Sequence, residues 1–179
     1  MCFTRPRNMP LRFRKGTLTF MLKITIITVG QLKESYYREA VEEYEKRMSA
    51  FARVTDINLK EVPFDENAGE AAILSALERE GDMILQKIPQ GAFRIALCIE
   101  GKEQSSEELA ATLERAAAER GECVFIIGSS HGLSEKVKRA CDMRLSFSKL
   151  TFPHRLARVI LCEALYRSLS INAGRKYHK

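Results

Sequence analysis

Short runs of β-branched and aromatic residues recur along this chain, with a helix-like pattern between each pair. That alternation restricts the fold to a small set. Lys23 to Val29 is an Ile/Thr/Val-rich run that stops at Gly30 and reads as a buried strand. Glu34 to Phe51 places Tyr37, Val41, Tyr44, Met48 and Phe51 at helical spacing. Val54 to Val62 alternates in polarity like a more exposed strand, stopped by Pro63. A polar loop from Phe64 to Gly69 leads into a helix over Glu70 to Ile88, with Gly81 as its weak point. Phe93 to Ile99 is a further buried strand, followed by a turn at Glu100-Gly-Lys. Ser105 with Glu108 forms a capping box for a helix to about Arg120, ended by Gly121.

Cys123 to Ile127 reads as the fourth strand and runs into Gly128-Ser-Ser-His-Gly132. Ser134 caps a short helix to Cys141, and Met143 to Phe147 is the fifth strand. Pro153 suits a first helical position, and the last helix runs to about Ile171. Strands alternating with helices predict a mainly parallel α/β sheet with helices on both faces. Ligands in such sheets bind beyond the carboxyl ends of the strands. The loops after Ile99, Ile127 and Phe147 are therefore expected to meet.

The 179 residues suit one domain, and no apolar run approaches the ~20 residues of a membrane span. Five scattered cysteines, with no C-x-x-C pair, read as reduced and mostly buried thiols of a cytosolic protein. Zinc-ligand spacing is absent, so no metal is expected. Neither a Ser-His-acid nor a Cys-His arrangement emerges from spacing, which leaves covalent catalysis without support.

The net charge of +6 is unevenly spread. Residues 1–20 carry +5, residues 21–148 carry −5, and residues 149–179 carry +6. A basic end is a footprint for nucleic acid or another anion, or else a solvated helix face. Residues 1–20, with Pro6, Pro10 and scattered arginines, show no clear period. They read as a disordered basic arm, a short targeting peptide, or an upstream extension of a chain whose start is Met21. The extension is the reading adopted, with residues 21–179 as the single domain.

The stretch from Leu145 to Arg158 gathers a strand end, hydroxyl residues, a helix start, one histidine and several cations. A helix N-terminus flanked by cations suits a polyanionic or nucleotide-like ligand. His154 in the first turn is disfavoured as a cation by the helix dipole. It is either a neutral histidine bonded to nearby backbone or a neutral imidazole that contacts a base or accepts a proton. Arg158 lies four residues on, on the same face, and Lys149 and Arg155 are close in sequence. Gly128 is either a turn glycine or a point where a flat ligand approaches bare backbone. The tail Arg175-Lys-Tyr177-His178-Lys179 is either a frayed terminus or a place where rings stack on bases. An RNA- or ribosome-binding α/β module without catalysis and a flavodoxin-like nucleotide-binding protein are the competing functional readings. The second leaves the basic C-terminal end unexplained.

Several motifs together closely resemble the RlmH family. They are Leu22-Lys-Ile-Thr-Ile-Ile-Thr-Val-Gly30, Ile99-Glu-Gly-Lys102, Phe125-Ile-Ile-Gly128 with Gly132-Leu-Ser134, Leu145-Ser-Phe-Ser-Lys-Leu-Thr-Phe-Pro-His154, Arg158-Val159 and the terminal Tyr177-His-Lys179. That family comprises bacterial 23S rRNA pseudouridine N3-methyltransferases of the SPOUT class. The likeness covers Met21 to Lys179. It implies an α/β fold with a SPOUT-type trefoil knot, an exception to the rule against threaded chains. It also implies a homodimer acting on 23S rRNA in the 70S ribosome, with S-adenosyl-L-methionine as cofactor.

Carried over by position, Leu97, Gly128 and the run Phe147, Ser148, Lys149, Leu150, Thr151 and Phe152 would hold the cofactor. His154, Arg155, Arg158, Tyr177 and His178 would face the RNA, with His154 or His178 taking part in proton removal. Two departures stand out. Ser129 occupies a position where the family usually has glycine, and Cys98 one where it usually has an acid.

Overall fold

The computed structural model describes residues 11–14, 17–65 and 69–175. Two short strands, β1 (Leu11–Arg14) and β2 (Thr17–Phe20), pair antiparallel ahead of the main sheet. Residues 1–20 were expected to hold no folded element. Their Leu-Arg-Phe-Arg and Thr-Leu-Thr-Phe alternations around Lys15-Gly16 carry the period-2 signal of a hairpin.

The remaining elements alternate along the chain. They are β3 (Leu22–Val29), α1 (Ser35–Met48), β4 (Ala52–Leu59), α2 (Glu70–Lys87), β5 (Phe93–Glu103) and α3 (Ser106–Glu119). Then come β6 (Glu122–Ile127), α4 (Glu135–Ala140), β7 (Met143–Ser146) and α5 (His154–Asn172). The five strands β3 to β7 form one sheet in the order β4-β3-β6-β5-β7, with every neighbouring pair parallel.

Alternate side chains of each strand point to opposite faces, and both faces are apolar, as a sheet covered twice requires. Ile24, Ile26 and Phe125 pack against Val41 and Met48 of α1, Leu113 of α3, and Leu161 and Leu165 of α5. Ile27, Val29, Val124 and Ile126 pack on the other face with Ile84 of α2 and Val137 of α4. Each such fully buried side chain contributes about 1.5–3 kcal/mol.

Five local features differ from the sequence pattern. β4 ends at Leu59 rather than Val62, because the Val62 amide is taken by the Glu80 carboxylate at 2.9 Å instead of a strand neighbour. Glu100-Gly-Lys is no turn. β5 continues through it with a register shift against β7 between Leu97 and Lys102. Gly101 permits this, since a Cβ there would lie 2.5 Å from the Leu145 carbonyl carbon. Ser134 holds the N-cap position of α4 without a side-chain cap bond. A Cβ at Gly81 would lie 2.5 Å from its hydroxyl, so Gly81 is where α2 closes on α4 and not a weak point. Pro153 is the N-cap of α5 rather than its first residue. The Ser105–Glu108 capping box is formed in both directions, at 3.2 and 2.7 Å.

Candidate functional site

The carboxyl ends of β5, β6 and β7 enclose a cavity of about 590 Å³, within the range of small-molecule sites. Its wall comes from Leu97 to Glu100 on β5, the loop Ile127 to Leu133, Lys138 of α4, Leu145 to Ser148, and Leu150 to Arg155 with Ala157. The three loops expected to meet do meet. Of the residues the resemblance assigned to the cofactor, Leu97, Gly128, Phe147, Ser148, Leu150, Thr151 and Phe152 line the cavity. Lys149 is exposed and is not part of the wall.

The loops are held by their own short polar bonds. The Ser146 hydroxyl donates to the Ser148 carbonyl at 2.9 Å, and the Leu150 amide donates to the Ser148 hydroxyl at 2.8 Å. After β6 the Gly132 amide donates to the Ser129 carbonyl at 3.0 Å. A Cβ on Gly128 would lie 1.9 Å from the Gly132 carbonyl oxygen. Glycine at 128 is thus demanded by the loop folding back on itself, the turn reading, and not first by the approach of a ligand.

Ser129 donates to Glu80 at 2.8 Å, and Glu80 is buried. The hydroxyl that departs from the family pattern therefore serves a buried carboxylate. The other departure, Cys98, lies on the wall with its thiol pKa raised by burial. Next to it Lys138 bridges Glu100 at 2.5 Å and Glu135 at 3.1 Å. The Lys138 hydrogen bond holds the Glu100 carboxyl below its ordinary range.

His154 and Arg155 lie where the cavity meets the start of α5. Burial lowers the His154 imidazole below its ordinary pKa, and the carboxylate of Glu61 acts in the opposite sense. His154 Nε2 is buried without a hydrogen-bond partner among the described residues, 3.7 Å from Glu61 Oε1. Burial thus favours the neutral form of the ring. Arg155 pairs with Glu34 at 2.5 Å.

Arg158 is placed otherwise than expected of an RNA contact. It is 3% exposed, and its guanidinium is hydrogen-bonded to Asp56 and Asn58 of β4. Glu45 lies in the same seam, its carboxyl raised by burial and by Asp56 and lowered by Arg158. Arg167 likewise pairs with Glu163 of its own helix at 2.6 Å. Arg155, Arg158 and Arg167 are thus each paired with an acid of the chain. Tyr177 and His178 lie outside the described residues. Reading the sequence alone missed Glu61, Glu80 and Lys138, because their roles depend on which strand ends adjoin.

The residues that make the sheet and the cavity also carry the relationships of the chain. Residues 22–178 match the family described as predicted SPOUT methyltransferase. A protein of Bacillus thuringiensis subsp. konkukian named ribosomal RNA large subunit methyltransferase H is 46% identical over 159 residues, 88% of this chain and 100% of the relative. A protein of the same name from Exiguobacterium sp. is 43% identical over the same shares. Among solved structures, a probable methyltransferase from Bordetella pertussis Tohama I superposes with a TM-score of 0.52 at 15% identity, covering 83% of this chain and 96% of that one. That likeness concerns the fold alone. The chain belongs to the SPOUT methyltransferases, in the group that holds the ribosomal RNA large subunit methyltransferases H.

Proposed function

We propose that this chain transfers a methyl group from S-adenosylmethionine to N3 of a pseudouridine in 23S rRNA, acting on the 70S ribosome in the cytoplasm as a homodimer. One observation carries the reading. In a chain of this family, three strand-end loops converge on one cavity, and a neutral histidine stands at its edge.

The cavity suits the cofactor in size and chemistry. Leu97, Phe147, Leu150 and Phe152 offer apolar surface for a flat base, while the hydroxyls of Ser148 and Thr151 sit among them. The cofactor, when bound, would supply an activated methyl group to the N3 nitrogen. The protein's part is to hold donor and acceptor in line and to receive the N3 proton. His154 takes that proton, since burial favours its unprotonated form. His178 is the second candidate for the same step. Arg155 and Lys149 meet RNA phosphates, and Tyr177 and His178 are further RNA contacts in this reading. Arg158 holds the first turns of α5 against β4 so that His154 stays at the cavity edge.

The test is transfer from methyl-labelled cofactor to ribosomes lacking the modification, with mass mapping of the methylated nucleotide. Label is expected on one pseudouridine of 23S rRNA, and His154→Ala is expected to lower turnover by about 100-fold or more. No transfer to 23S rRNA by the wild-type protein would end this reading.

A further inference from the structure

The structure assigns to Glu61 the task of positioning His154. The inference rests on the reading that His154 receives the N3 proton. Glu61 follows β4, and His154 opens α5. The two meet above Gly30 at the end of β3. A Cβ built on Gly30 would lie 2.8 Å from Glu61 Oε1 and 2.9 Å from His154 Nε2. Glycine, at φ +102°, leaves open the space through which carboxylate and ring face each other.

The backbone that carries the carboxylate is fixed on both sides of Glu61. The Gly30 amide donates to the Leu59 carbonyl at 2.9 Å. The Val62 amide donates to Glu80 at 2.9 Å, and Glu80 in turn accepts from Ser129 of the loop after β6 at 2.8 Å. Glu61 is therefore tied to the same loop that walls the cavity. The ring is fixed through α5, whose first turn is anchored by Arg155 on Glu34.

A carboxylate opposite Nε2 favours the tautomer with the proton on that nitrogen and leaves Nδ1 as the ring's acceptor. It also stabilises the imidazolium formed once a proton is taken up, at a helix N-terminus that disfavours it. The charged groups around the ring are Glu61 after β4, Glu34 before α1 and Arg155 beside it on α5. Glu61 is the acid that approaches Nε2.

The experiment compares wild type with Glu61→Gln and Glu61→Asp. Glu61 is about half exposed, so both variants are expected to fold as wild type. The first readout is nuclear magnetic resonance titration of the His154 ring on the protein alone, its signal identified by loss in His154→Gln. The second is steady-state methyl transfer to ribosomes. In Glu61→Gln the ring is expected to titrate at lower pH, kcat to fall about tenfold, and KM for the cofactor to stay unchanged. Glu61→Asp is expected to recover part of both. An unmoved titration overturns the pairing, and a moved titration with unchanged kcat overturns the positioning role. Failure of the proton-acceptor reading would show separately, as full turnover in His154→Ala.

Discussion

His154 and Arg158 stand one helical turn apart at the start of α5, and their surroundings differ in kind. Around His154 the polar groups leave a gap: Nε2 has no hydrogen-bond partner among the described residues, Glu61 stays 3.7 Å away, and Gly30 keeps the space clear. Around Arg158 the gap is closed: Asp56 and Asn58 take the guanidinium, and Glu45 lies in the same seam. A basic residue near a helix N-terminus is thus no measure of an anion site by itself. What the facing strand supplies decides. β4 offers acid and amide to Arg158, while the segment after β4 holds its carboxylate short of bonding His154. One turn of helix serves the fold, and the other is left open for chemistry.

The strongest way to break that contrast is Arg158→Ala. Removing one partner of a closed ion pair strands the other, and the expected loss is about 3–5 kcal/mol of unfolding free energy, read by denaturant titration. Replacing both members together, Arg158→Met with Asp56→Leu, is expected to recover much of that loss. Should Arg158→Ala unfold like wild type and instead release ribosomes, the residue belongs to the RNA side and the contrast fails.

The cavity side is probed by Gly128→Ala. The added Cβ would sit against the Gly132 carbonyl, so the loop after β6, which walls the cavity, has to shift. Cofactor affinity by calorimetry is expected to weaken by at least about tenfold, or 1.4 kcal/mol. Binding unchanged in that variant would mean that the loop's own fold does not govern the cavity.

The parts of this molecule legible in the sequence are those that depend on neighbours along the chain. Hydrophobic periodicity placed β3, β6 and α5 almost to the residue, and Ser105 with Glu108 marked the start of α3. The meeting of three loops followed from the strand-end rule. Contacts between distant segments were not legible in the same way. Ser129 and Glu80 are 49 residues apart, and Arg158 and Asp56 are 102 apart. Both pairings follow from the order β4-β3-β6-β5-β7, which no local pattern encodes. Arg158 looked like a ligand contact because only its own helix was in view. Glu100-Gly-Lys looked like a turn because Gly101 answers to the Leu145 backbone, on a strand more than forty residues away. Gly81 misled for the same reason, since what fills the space beside it comes from α4.

Lys149 allows the smallest and most discriminating test. It lies between Ser148 and Leu150, which both line the cavity, yet it is itself exposed and outside the wall. An exposed lysine that serves neither core nor cofactor leaves stability within about 0.5 kcal/mol when replaced by alanine. If its work is to meet phosphate, Lys149→Ala lowers ribosome affinity for any rRNA sequence. It also makes the dependence of log affinity on log salt shallower by about one unit. Cofactor affinity is expected to stay as in wild type. The three measurements divide the possible roles cleanly. A change confined to the salt slope puts Lys149 on the RNA side of the Phe147–Phe152 run. A change confined to cofactor affinity puts it back where family resemblance had it. Because its neighbours on both sides face the cavity, the outcome fixes how narrow the border between the two binding surfaces is.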